Sequence, residues 1–131
     1  MAENIFIEPE TRNTGPASGL VAVNLKRKGF DDKVFTLIQV DDLRLPEDAI
    51  FDLLESAEKY SLSTHKYITG GFYPKWHQSG VDFLLKGSML SGSDKIKVFD
   101  IKDFIDRSEL SRVESLMGSG DLMLHCNHTT S

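Results

Sequence analysis

Apolar and polar residues change rhythm several times along the chain, and each rhythm predicts an element. Ile5, Phe6 and Ile7 form a short apolar run, followed over residues 8–19 by Pro9, Thr11, Asn13, Thr14, Gly15, Pro16 and Ser18. That is the composition of a loop, so residues 1–19 are expected to form an N-terminal arm and loop. Over residues 20–28, Val21, Val23 and Leu25 alternate with Ala22, Asn24 and Lys26. Gly29-Phe30-Asp31-Asp32 then leads into Val34, Thr36, Ile38 and Val40. A period of two on both sides of a glycine-bearing turn predicts a β-hairpin.

The rhythm then lengthens. Pro46 suits the first turn of a helix, and Ile50, Leu53, Leu54 and Ala57 follow at the three-and-four spacing of one buried face, with Glu55 and Lys59 four apart on the other. The helix is expected to stop near residues 60–63. His65, Tyr67 and Thr69 alternate up to Gly70-Gly71, which predicts a tight hairpin turn, and Pro74 would confine the second arm to a sheet edge. Val81, Phe83 and Leu85 predict one strand and residues 95–101 another, joined by the Gly/Ser-rich residues 87–94. Phe104, Ile105, Leu110, Val113, Leu116 and Met117 suggest a second helical segment, capped by Ser108 and stopped by Gly118. Leu122, Leu124 and Cys126 alternate with Met123, His125 and Asn127 in a closing strand. Together these elements predict an α+β fold: an antiparallel sheet of five or six strands with two helices packed on one face, in a single domain over residues 1–131.

Composition agrees with a folded chain. With 131 residues, 40% apolar and 27% charged, the sequence resembles neither a disordered nor a fibrous protein. A net charge of −5 has the wrong sign for coating a nucleic acid and argues against that partner. The one cysteine, Cys126, forms no intrachain disulfide, and no apolar stretch suits a signal peptide or membrane span. The expectation is a cytoplasmic protein with no membrane partner. Asn127-His128-Thr129 matches a glycosylation acceptor, which carries no meaning in that compartment.

Most chemical patterns reduce to ordinary structure. Residues 87–95 look like a phosphate-cradling loop, but Asp94 stands between Ser93 and Lys95, where an acid repels phosphate. Cys126, His125 and His128 lack the four paired donors of a structural zinc site, so neither metal nor cofactor is expected. Asp31-Asp32 and Asp41-Asp42 fall at predicted turns and strand ends, and Lys26-Arg27-Lys28 at the end of a strand, where solvated charge is ordinary.

Two constellations stand out. His77-Gln78-Ser79 and His128-Thr129-Thr130 each place a hydroxyl two positions after a histidine, which resembles the paired His-x-Ser/Thr elements of 2H phosphoesterases. The resemblance implies His77 and His128 as general acid and base on a phosphodiester, with Ser79 and Thr130 as phosphate donors. The second constellation is His65, Lys66, Tyr67, Phe72, Tyr73, Lys75, Trp76 and His77, where rings interleave with basic groups. Large amphipathic rings beside cations suit the anchoring of a partner. The leading expectation is therefore a non-enzymatic binding module, a small regulator or inhibitor docking on a protein through this aromatic, basic hairpin and a candidate for self-association. The alternative is a small-nucleotide-binding protein or 2H-like phosphodiesterase.

Overall fold

The structure is a computed structural model that describes residues 4–39 and 43–130, with the backbone alone for residues 127 and 128. Val40, the Asp41-Asp42 pair and the side chain of His128 therefore lie outside the described residues. The chain forms two compact units, Met1–Lys33 and Val34–Ser131.

The first unit is helical where alternation predicts a strand. Helix α1 spans Thr14–Arg27, and residues 5–7 form no strand. Leu20, Val21, Asn24 and Leu25 also fit a helical spacing, and two polar side chains bond back along the helix. Ser18 donates to the Thr14 carbonyl at 2.6 Å and Asn24 to that of Leu20 at 2.8 Å. Gly29 is a helix stop rather than a hairpin turn. At φ 81° its N–H reaches the Lys26 carbonyl and that of Phe30 reaches Leu25, the paired bonds of a left-handed helix terminus. The basic run at 26–28 accordingly sits in the last turn and cap, where positive charge complements the helix dipole.

The second unit contains β1 (Phe35–Leu37), α2 (Glu47–Thr64), β2 (Ile68–Phe72), β3 (Phe83–Gly92), β4 (Lys97–Ile105), α3 (Leu110–Leu116) and β5 (Leu122–Thr130). The fold class is α+β, and the strands make one antiparallel sheet of five among the described residues. Strand β5 is its spine, since it pairs with β1, β2 and β3. Leu124 is paired with both Phe72 and Phe83, and Thr129 with both Ile68 and Thr36, so β2 occupies one edge of β5 while β3 and β1 share the other.

Three expectations fail for local reasons. Gly70-Gly71 is not a turn but the middle of β2, where Gly71 lies opposite β5 and an added Cβ would stand 3.2 Å from the Cβ of Met123. Close approach, not turn geometry, requires that glycine. The Gly/Ser stretch at 87–92 continues β3 through irregular pairing, and only residues 93–96 turn, with the Ser93 N–H donating to the Ile96 carbonyl at 2.7 Å. Phe104 and Ile105 close β4 instead of opening a helix. Asp106 and Glu109, not Ser108, supply the carboxylates that accept backbone N–H groups before α3.

The core lies on one face. Phe83, Ile105 and Leu122 meet Val113 of α3, all almost wholly buried. Along β2 and β5, Thr69 pairs with His128 and Gly71 with His125, so β5 spends one residue more than β2 over the same span. That excess returns Thr129 to the Leu122 and Leu124 face. There it is buried and its hydroxyl meets that of Thr36 at 2.9 Å. Helix α2 lies against β2 and β5 with Ala57 and Ser61 buried, so both helices of this unit pack on one face.

A charged clamp closes the open end of β3. The Arg107 guanidinium donates to both Asp82 carboxylate oxygens, at 3.0 and 2.7 Å, and to the Gly80 carbonyl at 2.8 Å, while its backbone N–H also reaches Asp82. These bonds hold the Asp82 carboxyl below its usual pKa range. Because the folded pKa is depressed, this contribution is complete above the unfolded value of about 4 and is lost as pH falls through the folded one. Urea unfolding across pH 2–6 should therefore show an acid-side loss of stability that shrinks in Asp82→Asn. The core makes a second prediction: Ile105→Ala should cost about 2–5 kcal/mol in the same measurement. Ile101→Ala, at a position 46% exposed in the same strand, should cost less than about 1 kcal/mol.

Candidate functional site

The residues of the predicted aromatic hairpin are distributed over three elements. His65 caps α2 in the left-handed region at φ 54°, and its N–H reaches the Ser61 carbonyl at 2.7 Å. The Lys66 carbonyl accepts the Ser61 hydroxyl at 3.1 Å, and Tyr67 is an exposed ring in the connection to β2. Phe72 ends β2, whereas Tyr73, Lys75, Trp76 and His77 belong to the irregular residues 73–82. Tyr73 is 58% and Trp76 62% exposed, and Lys75 and His77 are exposed as well.

Tyr73 is fixed by a residue that sequence reasoning passed over. Lys86 of β3 donates to the Tyr73 hydroxyl at 3.0 Å, and its ammonium lies 5.1 Å from the Tyr73 ring centroid and 4.8 Å from that of Phe99. Asp121 stands 3.7 Å away, and the Lys86 side chain is only 17% exposed. The ammonium thus meets Tyr73 at its hydroxyl edge and Phe99 at its ring, and these contacts order the start of the 73–82 segment. In the sequence Lys86 is one lysine in a predicted strand, and only the pairing across the sheet shows what surrounds it.

The histidines fall into different settings. His77 and Ser79 lie in the exposed 73–82 segment, whereas the backbone of His128 is held inside β5 between Leu37 and Thr69. Thr129, between the two specified positions of the second motif, is buried against Thr36. His125 is half-buried, with its ring edge-on to Phe104 at 6.1 Å. Burial pushes its pKa below the ordinary value, opposed by the Asp82 carboxylate. Cys126 is buried, and among the described residues no group of three or more His, Cys, Asp or Glu side chains could hold a metal ion. No described helix is long and apolar enough to cross a membrane.

A cleft of about 420 Å³ opens between α2 and the turn joining β3 to β4. Asp52, Glu55, Ser56 and Lys59 line the helical wall; Ser91, Ser93 and Lys95 line the other. Lys95 reaches across to Asp52 at 2.8 Å, and Lys59 bonds Glu55 one turn back at 2.6 Å. These carboxylates hold both ammonium groups above their ordinary pKa, so both are charged at neutral pH. A second cleft, of about 400 Å³, is lined by Val34, Thr36, Phe51, Leu54, Glu55 and Glu58. His77, Ser79 and Thr130 line neither.

No family profile matches the chain, and neither does any solved structure. Curated relatives do. The chain is 28% identical over 122 residues to the mannose-1-phosphate guanylyltransferase ManC of Salmonella typhimurium, and 27% identical over 122 residues to a mannose-1-phosphate guanylyltransferase of Escherichia coli. A protein of the same name from Klebsiella pneumoniae is 27% identical over 121 residues. Each alignment covers 92% of this chain but 25% of the relative, so the chain spans about a quarter of the length of the curated relatives it matches. These enzyme names overturn the expectation of a non-enzymatic regulator or inhibitor that docks on a protein partner. The chain is similar, along nearly its whole length, to part of a group of guanylyl-transferring enzymes.

Proposed function

We propose that the chain forms part of an enzyme that handles a guanine nucleotide and mannose 1-phosphate, the chemistry in its relatives' name. The observation that carries this reading is the match along 92% of the chain to proteins that share that name. Transfer of a guanylyl group to a sugar phosphate brings anions together. Such a reaction depends on cations that hold phosphate oxygens and on a surface that positions the base.

Within this reading the exposed rings acquire a different use. Trp76 and Tyr73 offer π-faces to a purine, with Lys75 beside them for a phosphate oxygen. Lys86 supports this arrangement by fixing Tyr73 from the sheet below. The aromatic segment is then a nucleotide surface rather than a protein-docking hairpin.

Trp76 is the single tryptophan, which makes the reading testable directly. Titration with guanosine triphosphate should quench its fluorescence saturably, and inorganic triphosphate should not. By calorimetry, Trp76→Ala should weaken nucleotide binding by about 1–3 kcal/mol. Absence of guanine-nucleotide binding would contradict the proposal.

A further inference from the structure

Two features of the structure are incomplete, and each has the form of what the other lacks. The first is the outer edge of β1. Among the described residues β1 pairs only with β5, so its second edge offers backbone donors and acceptors to a further strand. Beside that edge lies the cleft of about 400 Å³, with Val34 and Thr36 on the sheet side and Phe51 and Leu54 on the α2 side. Phe51 is 69% exposed, and Leu54, which the sequence places on a buried helical face, is only half-buried. The layer between α2 and the edge of the sheet is thus unfilled. Glu55 and Glu58 also line this cleft, and Glu58 has no hydrogen bond or ion pair among the described residues.

The second feature is the run Ile5-Phe6-Ile7, which has strand-forming side chains but no strand. Ile5 is 69% and Ile7 85% exposed. Phe6 is engaged on one side: the Lys28 ammonium lies 5.2 Å from its ring centroid and donates to the Asn4 side-chain oxygen at 3.1 Å. In an extended chain, a period of two gives Phe6 and Glu8 to one side and leaves Ile5 and Ile7 together on the other. Lys26 and Arg27, next to Lys28, are exposed and have no hydrogen bond or ion pair among the described residues.

An extended run laid along β1 would exchange backbone hydrogen bonds with the free edge and send two isoleucine side chains into the cleft. The carboxylates of the cleft and the basic end of α1 are of opposite charge, so the occupant that suits the cleft is an apolar strand that arrives with cations. We infer that residues 5–7 of a second copy of this chain add to the outer edge of β1, with Ile5 and Ile7 in the cleft and Lys26 and Arg27 facing its acidic side at Glu58. The exchange is reciprocal: each copy gives one arm and receives one, and the pair closes on itself. This inference stands apart from the guanine-nucleotide reading, since none of its residues belongs to the Tyr73 and Trp76 surface.

Sedimentation equilibrium of residues 1–131 tests it. The chain should associate to twice its mass of 14.7 kDa, with a dissociation constant in the micromolar range. Ile7→Asp and Phe51→Asp should each weaken the dimer at least about tenfold, because each puts a carboxylate without a partner into the apolar contact. Glu58→Lys should weaken it a few-fold. Ile101→Asp, at an exposed isoleucine of β4, should leave it unchanged. All four positions are exposed, and an unchanged circular dichroism spectrum and unfolding midpoint would establish that the fold is kept. A chain that stays monomeric at about 1 mM would overturn the inference. So would a dimer that either Ile7→Asp or Phe51→Asp leaves intact, or one that Ile101→Asp disperses.

Discussion

Strand β5 is the constraint on which the second unit depends. It satisfies backbone donors and acceptors on both of its edges, with β2 along one and β3 and β1 along the other. Its side chains must therefore keep faith with three partners, and a slip of one residue would carry every one of them to the opposite face. The extra residue between His125 and His128 resolves the conflict. Leu122 and Leu124 face the core, and Thr129 returns to the same face to meet Thr36. The helices can then cover one continuous surface, and Val113 and Ser61 are sealed against it.

Everything of chemical interest hangs from that frame. Strand β3, paired to β5 at Phe83 and Leu85, carries Lys86 to the ring of Tyr73 and runs on to the turn that presents Lys95. Helix α2 presents Asp52, Glu55 and Lys59 opposite that turn. The exposed aromatic surface and the polar cleft are separate features of one unit.

The sequence is legible where one periodicity excludes the other. Ile50, Leu53, Leu54 and Ala57 fit a helix and nothing else, and α2 is found there. Leu122, Leu124 and Cys126 likewise read as a strand. Residues 20–25 satisfy both periods at once, and the chain is helical there up to the stop at Gly29. The glycines at 71, 87 and 92 look like turn residues because close packing against a neighbouring strand leaves the same mark in a sequence as positive φ. For the candidate sites, the exposed aromatics are visible in the sequence but their use is not. Lys86, Asp52 and Lys95 are invisible, because each takes its meaning from a partner across the sheet or cleft that spacing along the chain does not reveal.

Native-state amide hydrogen exchange measures the claim about β5 directly, since a strand paired on both edges opens only when the sheet does. The account predicts that the hydrogen-bonded amides of residues 122–129 exchange among the slowest in the chain and share one opening free energy with those of 83–85. Amides of β5 exchanging as fast as those of residues 73–82 would contradict it, because the frame that carries both candidate sites would then lack its spine.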